Sequence, residues 1–278
     1  SEAIRLVTAP GGTVVVNPPV YPPFFGYTEH AGRRVVEAPL GPDGRLDLAS
    51  IEEAYAAAPA SGGVAHLLCS PHNPTSVVHT RDELSAVAAL AREHGVTVVV
   101  DEIHAPLVPD GFVPYLSVAG TETAVVATSA SKGFNLAGLK AALLVGGPDA
   151  PLDRLHDMVS HGPSHLGMIA HAAAYTGGRE WLAGLRADLA DNRRQLADGL
   201  ADLGPIGWDG RAGTYLAWLD LTATDLGDDP AAVLRERAGL VLNSGLPFGA
   251  GGRGRARLNY ATTPEVLTEA LARLAAAV

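Results

Sequence analysis

The chain has a single cysteine among 278 residues, Cys69, so it can form no internal disulfide, and a reducing compartment is the simplest setting for it. It is also poor in cations. Lys plus Arg number 20 against 30 acids, the net charge is −10, and no basic run stands out, which disfavours a nucleic-acid partner and favours a small molecule. Long apolar runs are absent, and the first residues lack the charged and apolar halves of a secretion signal, so the sequence reads as soluble and cytoplasmic. Aromatic residues make up 5% and charged residues 18%, but hydrophobic residues reach 47%, enough for a packed core and too many for a disordered chain. No internal repeat is visible, and the only biased stretch is a glycine-rich loop at 245–254. An initiator methionine is missing too: the chain opens directly in helical rhythm with Ser1-Glu2-Ala3-Ile4-Arg5-Leu6-Val7, and a preceding N-terminal segment is expected.

Turn chemistry and hydrophobic periodicity divide what is present. Ala9-Pro10-Gly11-Gly12 stops the opening helix, and Thr13-Val14-Val15-Val16 reads as a buried strand. From Asn17 to Phe25 the chain carries so much proline that neither helix nor central strand is expected, only a rigid loop presenting aromatics such as Tyr21. A strand follows at 34–36, and Ser50 with Glu53 suggests a capping box that opens a short helix through Ala58. Residues 64–69 are strand-like and lead into Ser70-Pro71-His72-Asn73-Pro74-Thr75. Thr80 and Glu83 form a second capping box, opening an amphipathic helix from Arg81 to about His94 that Gly95 ends. The β-branched run 96–100 has the look of a strand buried on both faces, and it delivers Asp101-Glu102-Ile103-His104 at its C-terminal end. More strands are expected at 124–128 and 141–145.

This alternation specifies an α/β fold, a mostly parallel central sheet with helices on both faces. Beyond about Leu152 the pattern becomes helical, with a break at Gly177-Gly178 and a long helix over 179–203. A strand at 214–221, a helix at 230–238, a strand at 256–260 and a last helix from Pro264 complete a smaller α+β domain. The expected division is a large domain over 1–180 and a small C-terminal domain over 181–278, led by the long linking helix.

The stretch Ala127-Thr128-Ser129-Ala130-Ser131-Lys132-Gly133 places a lysine among small and apolar residues just past a buried strand. An amine in a partly apolar site loses its proton more readily and can attack a carbonyl to form a Schiff base. Ligands of open α/β sheets bind beyond the carboxyl ends of the strands, and Asn73, Asp101 and Lys132 all fall just past expected strand ends.

Taken together, Pro71-His72-Asn73-Pro74, Asp101-Glu102-Ile103-His104 and Ser129-Ala130-Ser131-Lys132 resemble, in order and spacing, the fold-type-I pyridoxal-phosphate enzymes with their aspartate aminotransferase-like fold. DEIHAPLV, SKGFNLAGLK and GREWLAGLRADLADNRRQL are similar to the cystathionine β-lyase and C–S β-lyase branch of the class I and II aminotransferases. The resemblance implies pyridoxal 5'-phosphate as cofactor, no metal, and Lys132 as the amine that holds the cofactor and shuttles the substrate's α-proton. It places Asp101 beside the ring nitrogen, Asn73 and His104 near the phenolic oxygen, and Tyr21 on the ring face. Ser129, Ser131 and Lys140 are expected near the phosphate, and Arg257 as the clamp for the substrate's α-carboxylate.

The implied reaction is β-elimination from cystathionine or another L-cysteine S-conjugate, yielding a thiol, pyruvate and ammonia, in a homodimer. An aminotransferase of an L-amino acid shares every one of these contacts and is the alternative. A catalytically silent binding or assembly module is the third reading. Two departures accompany the resemblance. The preceding segment expected above would supply part of the phosphate site, and Ser76 stands where relatives continue Asn-Pro-Thr with glycine, so a positive φ there would be strained.

Overall fold

A computed structural model describes residues 1–59 and 61–278. Strands β1 (Thr13–Val16), β2 (Arg34–Glu37), β3 (Val64–Cys69), β4 (Thr97–Asp101) and β5 (Val125–Thr128) run parallel, and β6 (Leu143–Gly146) joins β5 antiparallel at the edge. Their order across the sheet is β2-β1-β3-β4-β5-β6. Successive side chains of a strand point to opposite faces, so an all-apolar strand feeds two cores at once. Val98 and Val100 of β4 pack on one face with Ile51 of α3 (Leu48–Ala57) and Leu84 and Val87 of α4 (Arg81–Glu93). Val99, between them in sequence, packs on the other face with Ile4 of α1 (Glu2–Val7) and Phe24 of α2 (Pro23–His30).

Several expectations are met and two are corrected. The Thr80–Glu83 capping box is present in both directions. Helix α2, however, begins inside the proline-rich stretch, with Pro23 in its first turn, where a missing N–H costs nothing because that donor has no helical partner anyway. Helix α3 is capped not by Ser50 but by Asp47, whose carboxylate accepts from the N–H groups of Ala49 and Ser50. Short oxygen acceptors three residues apart made both assignments plausible, and the backbone geometry chose the earlier one.

After β6 come the short α5 (Asp157–Ser160), α6 (His165–Gly177) and α7 (Arg179–Ala201). A second sheet, ordered β7-β9-β8, is built antiparallel from β7 (Leu216–Asp220), β8 (Asn243–Ser244) and β9 (Arg255–Asn259). One face of it, through Ala217, Leu219, Ala256 and Leu258, meets Leu196 of α7, Leu234 of α8 (Pro230–Ala238) and Leu267 of α9 (Pro264–Ala275). Leu196 and Leu234 are wholly buried, and each contributes on the order of 2 kcal/mol by leaving water. The alternate positions, Trp218 and Arg257, are register partners on the opposite face, which looks toward the rim of the first sheet.

Candidate active site

Register puts three strand ends level. Cys69 of β3 pairs with Asp101 of β4, and Asp101 pairs with Ala127 of β5. Each strand then releases its chain at the same rim, so the Asn73 loop, Asp101 and the Ser129–Lys132 turn meet although the sequence separates them widely. Asp101 lines a cavity of about 260 Å³ together with Ser129, Phe24, Ile103 and the start of the chain at Ser1. Burial raises the Asp101 carboxyl to about 6; an N–H from Ile103, 3.0 Å from Oδ1, and the charge of Lys132 oppose that rise. Lys132 itself is partly buried, and desolvation holds its pKa below that of a free lysine; Arg257 and Lys140 push the same way and Asp101 resists. A deprotonatable amine beside a half-buried carboxylate is the electrostatic core of the site.

The loop that carries Tyr21 is fixed from beneath. Tyr55 Oη lies 2.6 Å from Nδ1 of the fully buried His66, and His66 Nε2 lies 2.6 Å from Asn17 Oδ1. Asn17 Nδ2 donates to Ala38 O at 3.1 Å, which leaves Oδ1 to accept, so His66 carries its proton on Nε2 and accepts from Tyr55. That neutral form agrees with burial pulling His66 down to about 3. Above this chain, His72 Nε2 donates to Pro19 O at 2.9 Å and Val20 N–H donates to Phe248 O at 2.9 Å. Tyr21, half-buried, packs edge-on against Phe24 at 5.8 Å.

Arg257 reaches the rim from the small sheet. Nη1 donates to Asn73 Oδ1 and Nη2 to Asn243 Oδ1, each at 2.9 Å, while the guanidinium lies 5.0 Å from the centre of the Phe248 ring. Its Nε is buried with no partner among the described residues, a donor that a bound carboxylate would satisfy. Because Asn73 spends its oxygen on Arg257, its NH₂ group is left as the free end. His104 is buried with Nδ1 unpartnered among the described residues, and burial, reinforced by Lys132 and Arg257, lowers it to about 3, so it is neutral. Behind it, Arg186 of α7 donates to Pro106 O at 2.7 and 3.0 Å and to Val108 O at 3.0 Å, locking the turn that carries His104.

The expected residues therefore share one rim, with differences in detail. Ser129 donates its proton to Ala141 O at 2.8 Å and accepts from Ser131 N–H at 3.1 Å, so its hydroxyl shapes the turn. Ser131 Oγ has no protein partner among the described residues. Lys140 is exposed, in the left-handed region at φ 52°, close enough to Lys132 to depress it. Three participants escaped the sequence reading. Tyr215 stands edge-on to His104 at 5.6 Å, and its hydroxyl is raised to about 12 by burial. Asn243 sits on a two-residue strand too short to leave a pattern, and Phe248 lies inside the glycine-rich loop. A larger cleft of about 620 Å³, between residues 39–44 and Trp208 and Trp218, holds two ion pairs, Arg255 with Asp220 at 2.9 Å and Arg211 with Asp209 at 2.8 Å.

These residues fit pyridoxal phosphate: a desolvated amine, a half-buried carboxylate, an amide with its NH₂ group left to donate, an orphaned imidazole nitrogen and a half-buried aromatic ring gather past the carboxyl ends of the parallel strands, close enough for Lys132, Asp101, His104, Tyr21 and Arg257 to shift one another's proton affinities.

The family model described as aminotransferase class I and II matches residues 1–274. A provisionally assigned cystathionine beta-lyase of Mycobacterium leprae (strain TN) is 48% identical over 98% of this chain and 73% of its own length. The structure of cystalysin from Treponema denticola, which contains a pyridoxal 5'-phosphate cofactor, superposes with a TM-score of 0.90 at 28% identity, covering 99% of this chain and 73% of that one. Aspartate aminotransferase from Thermus thermophilus, solved with maleate, gives a TM-score of 0.89 at 26% identity, over 100% and 72% of the two chains.

Proposed function

The chain belongs to the class I and II aminotransferase family, with the aspartate aminotransferase-like fold, and from that premise we propose that it is a pyridoxal-phosphate-dependent C–S β-lyase. The observation that carries the reading is Lys132, a desolvated lysine that feels both the half-buried Asp101 and a clamp arginine with an unsatisfied Nε. Similarity to a cystathionine β-lyase over almost the whole chain selects elimination among the family's reactions.

Pyridoxal phosphate, when bound, supplies the electron sink for negative charge at the substrate's α-carbon. The protein's own groups do the rest. Arg257 grips the α-carboxylate through its free Nε and an adjoining Nη, fixing the α-carbon near Lys132. Lys132, with its proton more easily lost than a free lysine's, accepts the α-proton. With the cofactor bound, Asp101 would hold its ring nitrogen and the NH₂ group of Asn73 would be available to its phenolic oxygen. His104, neutral, adds no competing charge, and Tyr21 would cover the ring. Lys132 can pass that proton to the departing sulfur, so the C–S bond breaks to give the thiol, and one water consumed leaves the remaining three carbons as pyruvate and the nitrogen as ammonia.

The large domain of this reading is 1–180 and the small one 181–278, supported by the separate cores around the two sheets. A homodimer belongs with it, supported by the exposed apolar side chains Met158, Leu166, Ile169 and Trp181. A cytoplasmic location is in keeping with one buried, free cysteine. Purified protein given pyridoxal phosphate and cystathionine, with no keto acid, is expected to release pyruvate and thiol in equal amounts. Turnover that starts only on adding a keto acid would replace the lyase by a transaminase.

A further inference from the structure

Ser76 has φ 56°, one of the few non-glycine residues in the left-handed region. A glycine would take that conformation freely, whereas a side chain there costs about 1 kcal/mol. The side chain is 2% exposed, and both of its contacts cross from the cofactor loop to the small sheet. Ser76 Oγ donates to Leu216 O at 2.7 Å, and because its one proton is spent there, Thr214 Oγ1 donates to Ser76 Oγ. Thr214 Oγ1 in turn accepts from Leu216 N–H at 3.0 Å. The backbones meet as well: Gly213 N–H donates to Ser76 O at 3.0 Å, and a Cβ on Gly213 would lie 2.4 Å from that oxygen, so only glycine permits the approach.

Both ends of this junction lead to the site. On one side, Ser76 N–H donates to His72 O at 2.9 Å and His72 N–H to Val77 O at 2.8 Å, closing a tight loop around Asn73. On the other, Leu216 is the first residue of β7 and pairs with Asn259, two residues from Arg257, while Tyr260 Oη donates to Thr214 O at 2.6 Å and holds the segment to β9. The same loop and the same sheet are thus joined twice, by Asn73 with Arg257 and by Ser76 with Thr214 and Leu216. A substrate carboxylate competes for the first junction. Nothing in the reaction touches the second.

We propose that Ser76 is a positioning residue: its hydroxyl fixes the small sheet against the cofactor loop and so sets where Arg257 presents its fork to an α-carboxylate. The proposal rests on Arg257 being that clamp, the reading given above. The test uses holoenzyme of wild type, Ser76→Ala, which keeps the strain and loses the hydroxyl, and Ser76→Gly, which loses both. L-Alanine, with an α-carboxylate but no leaving group, serves as a binding probe followed through the cofactor absorption, beside KM and kcat for cystathionine and hydrogen exchange at the Leu216 amide.

Both variants are expected to exchange faster at Leu216, to bind alanine about five- to tenfold more weakly and to raise KM by the same factor, with kcat within about twofold. Faster exchange with unchanged alanine affinity overturns the proposal, because the junction would then hold the domains without setting the clamp. Unchanged exchange overturns it too. So does a Ser76→Gly enzyme that binds like wild type while Ser76→Ala does not, since strain and not the hydroxyl would then be the cause; glycine suits this backbone, so that variant is expected to fold. A wild type that binds alanine but cleaves no cystathionine refutes the lyase reading and leaves the alanine comparison to decide this one.

Discussion

Replacing Asp101 by Asn separates what the site costs the fold from what it does for chemistry. Burial raises the Asp101 carboxyl from 3.8 to about 6, so between those values the folded protein holds a proton that the unfolded chain has released. Stability contributed by this group is therefore complete below pH 3.8 and lost as pH rises through about 6. At about 1.4 kcal/mol per pH unit the full penalty at neutral pH is about 3 kcal/mol; the carboxylate borders a cavity that water can enter, which reduces it to about 1–2 kcal/mol. Asparagine keeps the shape and can still accept the Ile103 N–H bond, but carries no charge to desolvate. Cofactor-free Asp101→Asn should melt higher than wild type at pH 7.5, by about 2–6 °C for a chain of this size. The gap should close toward pH 4. Loading pyridoxal phosphate should reverse the order in function, with weaker cofactor binding and slower pyruvate release. Thermal melts of the apo proteins at both pH values check the first part. Equal melting at both, or a variant less stable at pH 7.5, would show that attraction to Lys132 outweighs desolvation and would refute the argument.

Three other outcomes follow from the same geometry. Lys132→Ala should abolish the borohydride-sensitive visible band of the holoenzyme and lower pyruvate formation roughly a thousandfold, read by absorption and a coupled pyruvate assay. Arg257→Lys keeps the charge but loses the planar fork that Asn73 and Asn243 orient, so steady-state kinetics should show KM raised about 10- to 100-fold with a smaller change in kcat. Glu83 is pushed up by burial, but its bonds to Arg45 and to the Thr80 N–H outweigh that and hold it at about 2. Its stability contribution is present above pH 4.5 and lost as pH falls through about 2; Glu83→Gln should cost about 1–2 kcal/mol at neutral pH, with the difference from wild type in urea melts vanishing in acid.

Much of the scaffold was legible because local signals agreed with one another. Val98-Val99-Val100 is apolar at every position, which only a strand buried on both faces needs, and the structure places those residues in two cores. Thr80 and Glu83 announced a helix start that no tertiary contact had to override. The misreadings came where two local solutions were nearly equal: Asp47 and Ser50 can both cap a helix, and a proline-rich run can end in the first turn of one. Asn243, Tyr215 and Phe248 were invisible for another reason. Each joins the site through a partner remote in sequence, Arg257 for the first and third and His104 for the second, and carries no periodicity of its own.

By itself the sequence determined the chemistry at hand, since a lysine, a carboxylate, an amide and an arginine were each placed just past or within a strand by periodicity and turn residues that act over a few positions. Its resemblance to a family that carries glycine after Asn-Pro-Thr also flagged Ser76. Only the tertiary structure decided how these groups act on one another. Parallel register brought Asp101 level with Cys69 and Ala127, burial moved the proton affinities of Asp101, Lys132 and His104, and the meeting of two sheets gave the Ser76 hydroxyl two partners across the junction. Desolvation and long-range hydrogen bonds depend on which atoms surround a group, and that surrounding is made by residues far along the chain.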